Sequence, residues 1–164
     1  MATSEPWYVS ERAESLAFVL LTGFPVQVKR EAERDKGLDL RVVVDPKKQG
    51  LREFGVEVKG TTRIDTLFSN DYRVRPQLIR AARKQLRGYI FPVALLLFDV
   101  TTDEGFFGWL LQPVVTPDGA RLEEPDPISM QMATNARIEK ALSEVRDWYE
   151  ARPLRMNGKA ANSR

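Results

Sequence analysis

Cysteine and histidine are both absent from this chain of 164 residues. Without cysteine there are no disulfides, no thiolate nucleophiles and no zinc–thiolate sites. Without histidine there is no serine triad of the usual kind, no imidazole general base and no imidazole metal ligand. Any metal ion must therefore be held by oxygen ligands, which favours a hard ion such as Mg²⁺, Mn²⁺ or Ca²⁺.

Long apolar runs are missing as well. The longest extends from Pro92 to Phe98, far short of the ~20 residues that a membrane-spanning helix needs. The first residues, MATSEPWYVSERAES, lack the basic region and apolar stretch of a signal peptide. We therefore expect a cytoplasmic protein with no membrane partner.

The charges are nearly balanced, with 25 Lys and Arg against 23 Asp and Glu, a net charge of +2. This total does not by itself indicate a nucleic-acid-binding protein. With 43% hydrophobic and 29% charged residues, the composition is that of an ordinary globular domain. We expect one domain over residues 1–153 and a disordered tail over residues 154–164.

Hydrophobic periodicity predicts three helices and five strands. The first helix would start after Ser10 as its cap, with Glu11 in the first turn, and end at Gly23. The other helices are predicted over 76–88 and 134–151, and the strands over 25–29, 38–44, 54–59, 91–100 and 105–115. Pro113 places the last strand towards a sheet edge, and 116–127 is expected to be a loop. The order α-β-β-β-α-β-β-α indicates an α/β domain with a mixed central sheet.

The segment Gly55–Gly60, with sequence GVEVKG, carries the clearest chemical signal. Alternate residues of a strand share a face, so Glu57 and Lys59 project together while Val56 and Val58 enter the core. Asp39 lies on the preceding strand of a predicted hairpin. Two carboxylates and an intervening backbone carbonyl would suit a hard metal ion, and a nearby lysine can orient an attacking water. The alternative is a half-exposed strand in which this triplet arose by chance.

Together these segments resemble the PD-(D/E)XK nuclease superfamily, whose restriction-endonuclease-like core has the order α-β-β-β-α-β. The likeness covers about Glu11 to Val100 and is nearest to the small Holliday-junction-resolvase-like branch and its uncharacterised bacterial relatives. It rests on the helical stretch ERAESLAFVLLTGF, the strand GLDLRVVV and the strand GVEVKG. Leu38 replaces a proline that the family often has, and nothing after Val100 is diagnostic.

The resemblance implies a nuclease that hydrolyses DNA phosphodiester bonds with Mg²⁺ or Mn²⁺. Glu14 would take the place of the helical glutamate, for which Glu11 competes. Asp39, Glu57 and Lys59 would take the places of the aspartate, the second acid and the lysine. The metal would be held by Asp39, Glu57, the Val58 carbonyl and Glu14. Beyond that core, the predicted elements add an extra strand and a C-terminal helix.

The second helix adds a basic surface. The segment from Arg73 to Arg87 has six basic residues and no acid, and Arg80, Arg83, Lys84 and Arg87 lie on one side at helical spacing. This predicts contacts with phosphates, although an ordinary solvated helix face is the alternative. Gln85 is a further candidate, because Gln85 and Tyr89 have a spacing similar to a motif of the RecB-like branch.

Three aromatic residues, Phe106, Phe107 and Trp109, lack basic neighbours. We therefore expect them to pack in the core or a dimer interface rather than stack on bases. A homodimer is possible, since one site holds one scissile phosphate. Two alternatives to the nuclease remain: a catalytically inactive nucleic-acid-binding or assembly module on the same fold, and an unrelated α/β protein.

Overall fold

The computed structural model describes residues 5–31, 38–69, 71–86 and 88–152. Within these ranges the chain forms a seven-stranded mixed sheet and three α-helices, which confirms the predicted α/β class. The elements are, in chain order, α1 (Trp7–Thr22), β1 (Val26–Arg30), β2 (Leu40–Val44), β3 (Glu53–Thr61), α2 (Pro76–Gln85), β4 (Val93–Asp99), β5 (Glu104–Thr116), β6 (Gly119–Glu123), β7 (Gln131–Met132) and α3 (Asn135–Ala151).

The sheet has the strand order β1-β2-β3-β4-β5-β6, and β7 pairs with β5. The pair β3–β4 is parallel, with α2 in the connection, and the other neighbouring pairs are antiparallel. Pairing of β2 with β3 stops at Leu40 and Val56, whereas β4 accompanies β3 as far as Thr61. The last residues of β3, 57–61, therefore have a neighbouring strand on one side only, which leaves a notch in the sheet.

Two apolar clusters fill the two faces of the sheet. One lies beneath α1 and α3 and includes Val56, Val58 and Leu96. The other lies beneath α2 and includes Leu95 and Leu97. The continuous apolar run of β4 is explained by this arrangement, because a strand buried on both faces has no solvent-facing positions.

The aromatic residues of β5 pack as predicted in the core. Phe106, Phe107 and Trp109 are 6%, 2% and 4% exposed. Trp109 also donates a hydrogen bond from Nε1 to Glu144 of α3, at 3.0 Å. These rings are therefore not accessible for stacking on nucleobases.

Helix α1 begins earlier than predicted. It starts at Trp7 after Pro6, whose carbonyl accepts a hydrogen bond from the Val9 N–H at 3.0 Å. Ser10 is therefore not a cap but a residue within the helix, and Glu11 is not in the first turn. The fixed φ of proline favours a helix start at this point. The predicted end at Gly23 is confirmed.

Strand β5 is not an edge strand, and the predicted loop 116–127 contains β6. Pro113 lies beyond Leu111, the last β5 residue that pairs with β4. Its missing N–H therefore costs no hydrogen bond to β4, and β5 continues by pairing with β6. The turn between them uses Gly119 at a φ of 131°, a conformation that favours glycine.

The other predicted helices and strands are present with small shifts of their ends. Helix α2 ends at Gln85 rather than at 88, and Thr134 caps α3 by accepting a hydrogen bond from the Arg137 N–H. Three predicted features lie outside the described residues: most of the expected loop before β2, the basic residue Arg87, and the tail 154–164. No helix in the described part of the chain is long and apolar enough to cross a membrane.

Candidate active site

A cavity of about 330 Å³ lies at the notch where β3 continues past the start of β2. The four residues predicted to carry the chemistry, Glu14, Asp39, Glu57 and Lys59, all line it. The rest of its lining consists of Ser10, Val58, Gly60 and Gln85. The structure thus brings together side chains from α1, the start of β2, the end of β3 and the end of α2.

Asp39 is positioned by the backbone of β3. Its N–H donates to the carbonyl of Val56 at 3.0 Å, and its Oδ2 accepts a hydrogen bond from the N–H of Val58 at 2.7 Å. The N–H and C=O groups of alternate strand residues point to the same side. The Val58 carbonyl therefore also points towards the side of β3 where Asp39 lies.

Glu57 is buried, with 3% of its surface exposed. Its Oε1 lies 3.1 Å from Lys59 Nζ, and its Oε2 accepts no hydrogen bond from the described residues. Burial raises the pKa of the Glu57 carboxyl above its ordinary value. Lys59 opposes this rise and the negative charge of Asp39 adds to it. A buried carboxylate oxygen without a partner is costly, and a cation or a proton would relieve that cost.

Lys59 follows the predicted alternation. It projects on the same face of β3 as Glu57, and about half of its side chain, 48%, remains exposed. Val56 and Val58 enter the opposite cluster. Lys59 therefore has its ammonium held by Glu57 at the mouth of the cavity, within reach of solvent.

Helix α1 approaches the end of β3 closely because position 60 is glycine. A Cβ on Gly60 would lie 2.7 Å from the Cβ of Ala13 and 2.9 Å from the carbonyl oxygen of Val9. This contact brings Ser10 and Glu14, one helical turn apart, to the cavity. Glu14, and not Glu11, lines the cavity. Ser10 and Gly60 were missed as site residues, although Ser10 precedes Glu14 by four residues and Gly60 directly follows Lys59.

The oxygen donors here fit a hard divalent ion in their chemistry. Asp39, Glu57, Glu14 and the Val58 carbonyl provide carboxylate and carbonyl oxygens, the ligands that Mg²⁺ and Mn²⁺ prefer. The partnerless Oε2 of Glu57 is the structural observation in favour of such an ion. In the described ranges, however, no three or more Asp or Glu side chains are gathered closely enough to form a ready-made metal cluster.

The basic side of α2 is less available for phosphate contacts than its sequence predicts, because acidic residues from another segment of the chain lie next to it. Arg83 donates a hydrogen bond to the Pro125 carbonyl and lies 3.9 Å from a Glu124 carboxylate oxygen. It is therefore engaged in holding the segment after β6. A cavity of about 550 Å³ lies between this segment, including Asp126, and α2.

Arg80 and Lys84 are the cations of α2 that remain exposed, and neither forms an ion pair with another described residue. The exposed arc of α2 runs from Arg80 and Lys84 through Gln77 and Ala81 to Gln85, each residue turning the helix by about 100°. Gln85 lines the cavity. Tyr89 is half-buried and packs against Phe91 at a ring distance of 5.2 Å.

Comparisons of the chain with protein-family models, with curated proteins and with solved structures found no match. The candidate site therefore stands on its own residues and geometry.

Proposed function

We propose that the protein is a Mg²⁺- or Mn²⁺-dependent nuclease that hydrolyses phosphodiester bonds in DNA. The observation that carries this proposal is the convergence of Glu14, Asp39, Glu57 and Lys59 on one cavity, with a buried Glu57 oxygen that lacks a partner. The resemblance to the PD-(D/E)XK superfamily agrees with this proposal.

Asp39, Glu57, the Val58 carbonyl and Glu14 would hold the ion. When bound, it would neutralise the charge that develops on the phosphate. Asp39 is fixed by the Val58 N–H and Glu57 is fixed by burial, so the donors need little reorganisation.

Lys59 orients the attacking water in this proposal. Its ammonium lies 3.1 Å from Glu57 and extends into the open part of the cavity, next to where a scissile phosphate would sit. The water oxygen attacks phosphorus in line with the leaving oxygen, the P–O ester bond breaks, and the leaving oxygen takes up a proton. Nothing in these residues reads a base sequence.

The DNA would approach along α2. Arg80 and Lys84 are exposed and can contact phosphates, and the exposed arc of the helix leads from them to Gln85 at the cavity. Arg83 would contribute less, since it is bound to Pro125 and Glu124.

The test is cleavage of plasmid, linear duplex, branched and single-stranded DNA by the purified protein with Mg²⁺, Mn²⁺ or EDTA. Asp39→Asn, Glu57→Gln and Lys59→Gln are each expected to abolish divalent-dependent cleavage. Glu14→Gln is expected to reduce it strongly. Glu11→Gln is the matched control for α1, and Glu53→Gln is the matched control for β3, because neither residue lines the cavity.

Ion binding gives a readout that is independent of cleavage. Mn²⁺ should raise the melting temperature of the wild type and of the two control variants, but not that of Asp39→Asn. A wild type that cuts none of these DNAs, with no ion-dependent stabilisation, would overturn the proposal and favour the catalytically inactive module.

A further inference from the structure

Trp7 is a large aromatic residue that the proposed chemistry does not use. It is 80% exposed, the highest exposure among the large hydrophobic residues of the described chain. The neighbouring Tyr8, 50% exposed, meets it edge to face at a ring distance of 6.3 Å. An exposed indole offers a large flat face on which another aromatic ring can stack.

The position of Trp7 relates it to the candidate site. Trp7 and Glu14 are seven residues apart on α1, so they differ by only about 20° around the helix and by about 10 Å along it. Ser10, which also lines the cavity, lies between them. Trp7 therefore lies on the helix face that carries Glu14, about one turn beyond Ser10 towards the start of α1.

Trp7 is also held firmly with respect to the end of β3. Thr61 Oγ1 donates a hydrogen bond to Glu5 Oε1 at 2.9 Å, which ties the segment before α1 to the strand that carries Lys59. The close contact of Gly60 with Val9 and Ala13 fixes the helix itself. With its backbone fixed, the indole has only two side-chain torsions to order on binding, which keeps the entropy cost of stacking low.

We infer that Trp7 is a stacking platform for an unpaired nucleobase next to the phosphate in the cavity, so that the preferred substrate has single-stranded character. This inference rests on the proposed function and names its substrate class. A base inside a duplex has both faces covered by its neighbours, whereas an unpaired base can stack on an indole ring. Arg63, exposed and near Thr61, adds a positive charge on this flank.

Tryptophan fluorescence tests the inference directly. Of the three tryptophans, Trp109 and Trp148 are 4% and 3% exposed, so Trp7 is the one that a ligand can quench. A short oligothymidylate, added in EDTA to prevent cleavage, should quench the wild type. Trp7→Ala should remove the quenching and weaken binding of the oligothymidylate by about 5- to 150-fold, with a much smaller effect on a duplex of equal length.

Two further variants complete the test. Trp7→Tyr keeps an aromatic face and should restore most of the affinity. Val19→Ala removes another exposed apolar residue of α1, 70% exposed and about 120° around the helix from Trp7, and should bind as the wild type does. Lys59→Gln should lose cleavage and keep the quenching.

Three results would overturn the inference. One is wild-type affinity of Trp7→Ala for the oligothymidylate, and another is an oligothymidylate that leaves wild-type fluorescence unchanged. The third is a change in oligomeric state of Trp7→Ala with unaltered DNA binding, which would make Trp7 a protein contact. Cleavage by the wild type reports on the proposed function separately. Trp7-dependent binding by a wild type that shows neither cleavage nor ion-dependent stabilisation would overturn the nuclease proposal and leave this inference standing.

Discussion

Glu57 is the one charged side chain that is fully buried in the described part of the chain. Burial raises the pKa of its carboxyl, with Lys59 opposing the rise. A carboxyl whose pKa is raised on folding adds stability below its unfolded pKa and loses that contribution as the pH rises through the folded pKa. At neutral pH this residue therefore works against folding.

Glu57→Gln is consequently expected to stabilise the protein while it removes the proposed activity. The melting temperature of the variant relative to wild type should increase from pH 4 to pH 8, because only the wild type acquires a buried charge. Differential scanning fluorimetry in EDTA measures this difference. If the difference in melting temperature between variant and wild type is the same at every pH, the pKa of Glu57 does not differ between the folded and unfolded states.

Tyr149 forms a partly buried polar contact with β3. Its hydroxyl donates to the Glu53 carbonyl and accepts a hydrogen bond from the Glu53 N–H at 3.1 Å. Tyr149→Phe leaves both backbone groups without this partner. We expect a loss of about 1–3 kcal/mol in the free energy of unfolding, seen as a lower urea midpoint with an unchanged slope. Cleavage should be unaffected, since Tyr149 lies at the opposite end of β3 from Lys59.

At the scale of elements, the contact between α1 and β3 sets the depth of the cavity. Gly60→Ala would place a Cβ 2.7 Å from that of Ala13, so the helix would have to move away. We expect destabilisation of about 1–3 kcal/mol and weaker cleavage, because Ser10 and Glu14 move with the helix. Gly23→Ala, at the end of the same helix and with a φ of −70°, is the matched control. Equal effects of the two substitutions would argue against this role for Gly60.

Helix α2 gives a prediction about salt dependence. Each phosphate contact contributes a slope of about 0.9 in a plot of log affinity against log salt concentration for duplex DNA. The double variant Arg80→Gln/Lys84→Gln should therefore flatten that slope by up to about 2 units and weaken binding to all sequences alike. Fluorescence anisotropy at several salt concentrations measures it.

Arg83→Gln is the contrasting variant on the same helix. It breaks the contacts with Pro125 and Glu124, so it should lower the melting temperature and leave the salt slope nearly unchanged. A double variant with the wild-type slope would mean that Arg80 and Lys84 form only a solvated surface.

The differences between predicted and observed elements have a common physical origin. The two faces of β3 could be predicted from the sequence because the two-residue alternation of a strand is local. The position of Asp39 beside Glu57 could be predicted because consecutive strands of a hairpin pair with each other. The contacts of Arg83 could not be predicted from the sequence, since the Pro125 carbonyl that accepts its hydrogen bond lies 42 positions away and the Glu124 carboxylate lies beside it. Strand β6 was predicted to be part of a loop because residues 116–127 are rich in proline. Its three prolines, Pro117, Pro125 and Pro127, lie outside the strand, whose pairing with β5 is a long-range contact.

At the scale of the whole molecule, β4 connects the two apolar clusters. Leu96 packs beneath α1 and α3, and its neighbour Leu97 packs beneath α2. Both are 0% exposed. Loss of either side chain leaves a cavity in a different layer of the same sheet.

Leu96→Ala and Leu97→Ala are therefore each expected to cost about 2–5 kcal/mol of unfolding free energy. Since the layers share one sheet, each variant should still unfold in a single transition. Circular dichroism follows the whole chain. Tryptophan fluorescence in a Trp7→Tyr background reports on the two buried tryptophans, of which Trp109 belongs to the layer beneath α1 and α3. Midpoints that differ between the two probes would show that the layers unfold separately.

The anchoring of the last turn of α3 at Glu53 has a practical consequence for attaching probes. Glu53 and Lys59 are six residues apart along β3, about 20 Å, so the end of α3 faces away from the cavity. Because the chain has no cysteine, Asp147→Cys would introduce its single thiol, on an exposed position of that turn. A dye or a surface tether coupled there would leave the cavity facing solution, ready for single-molecule observation of DNA.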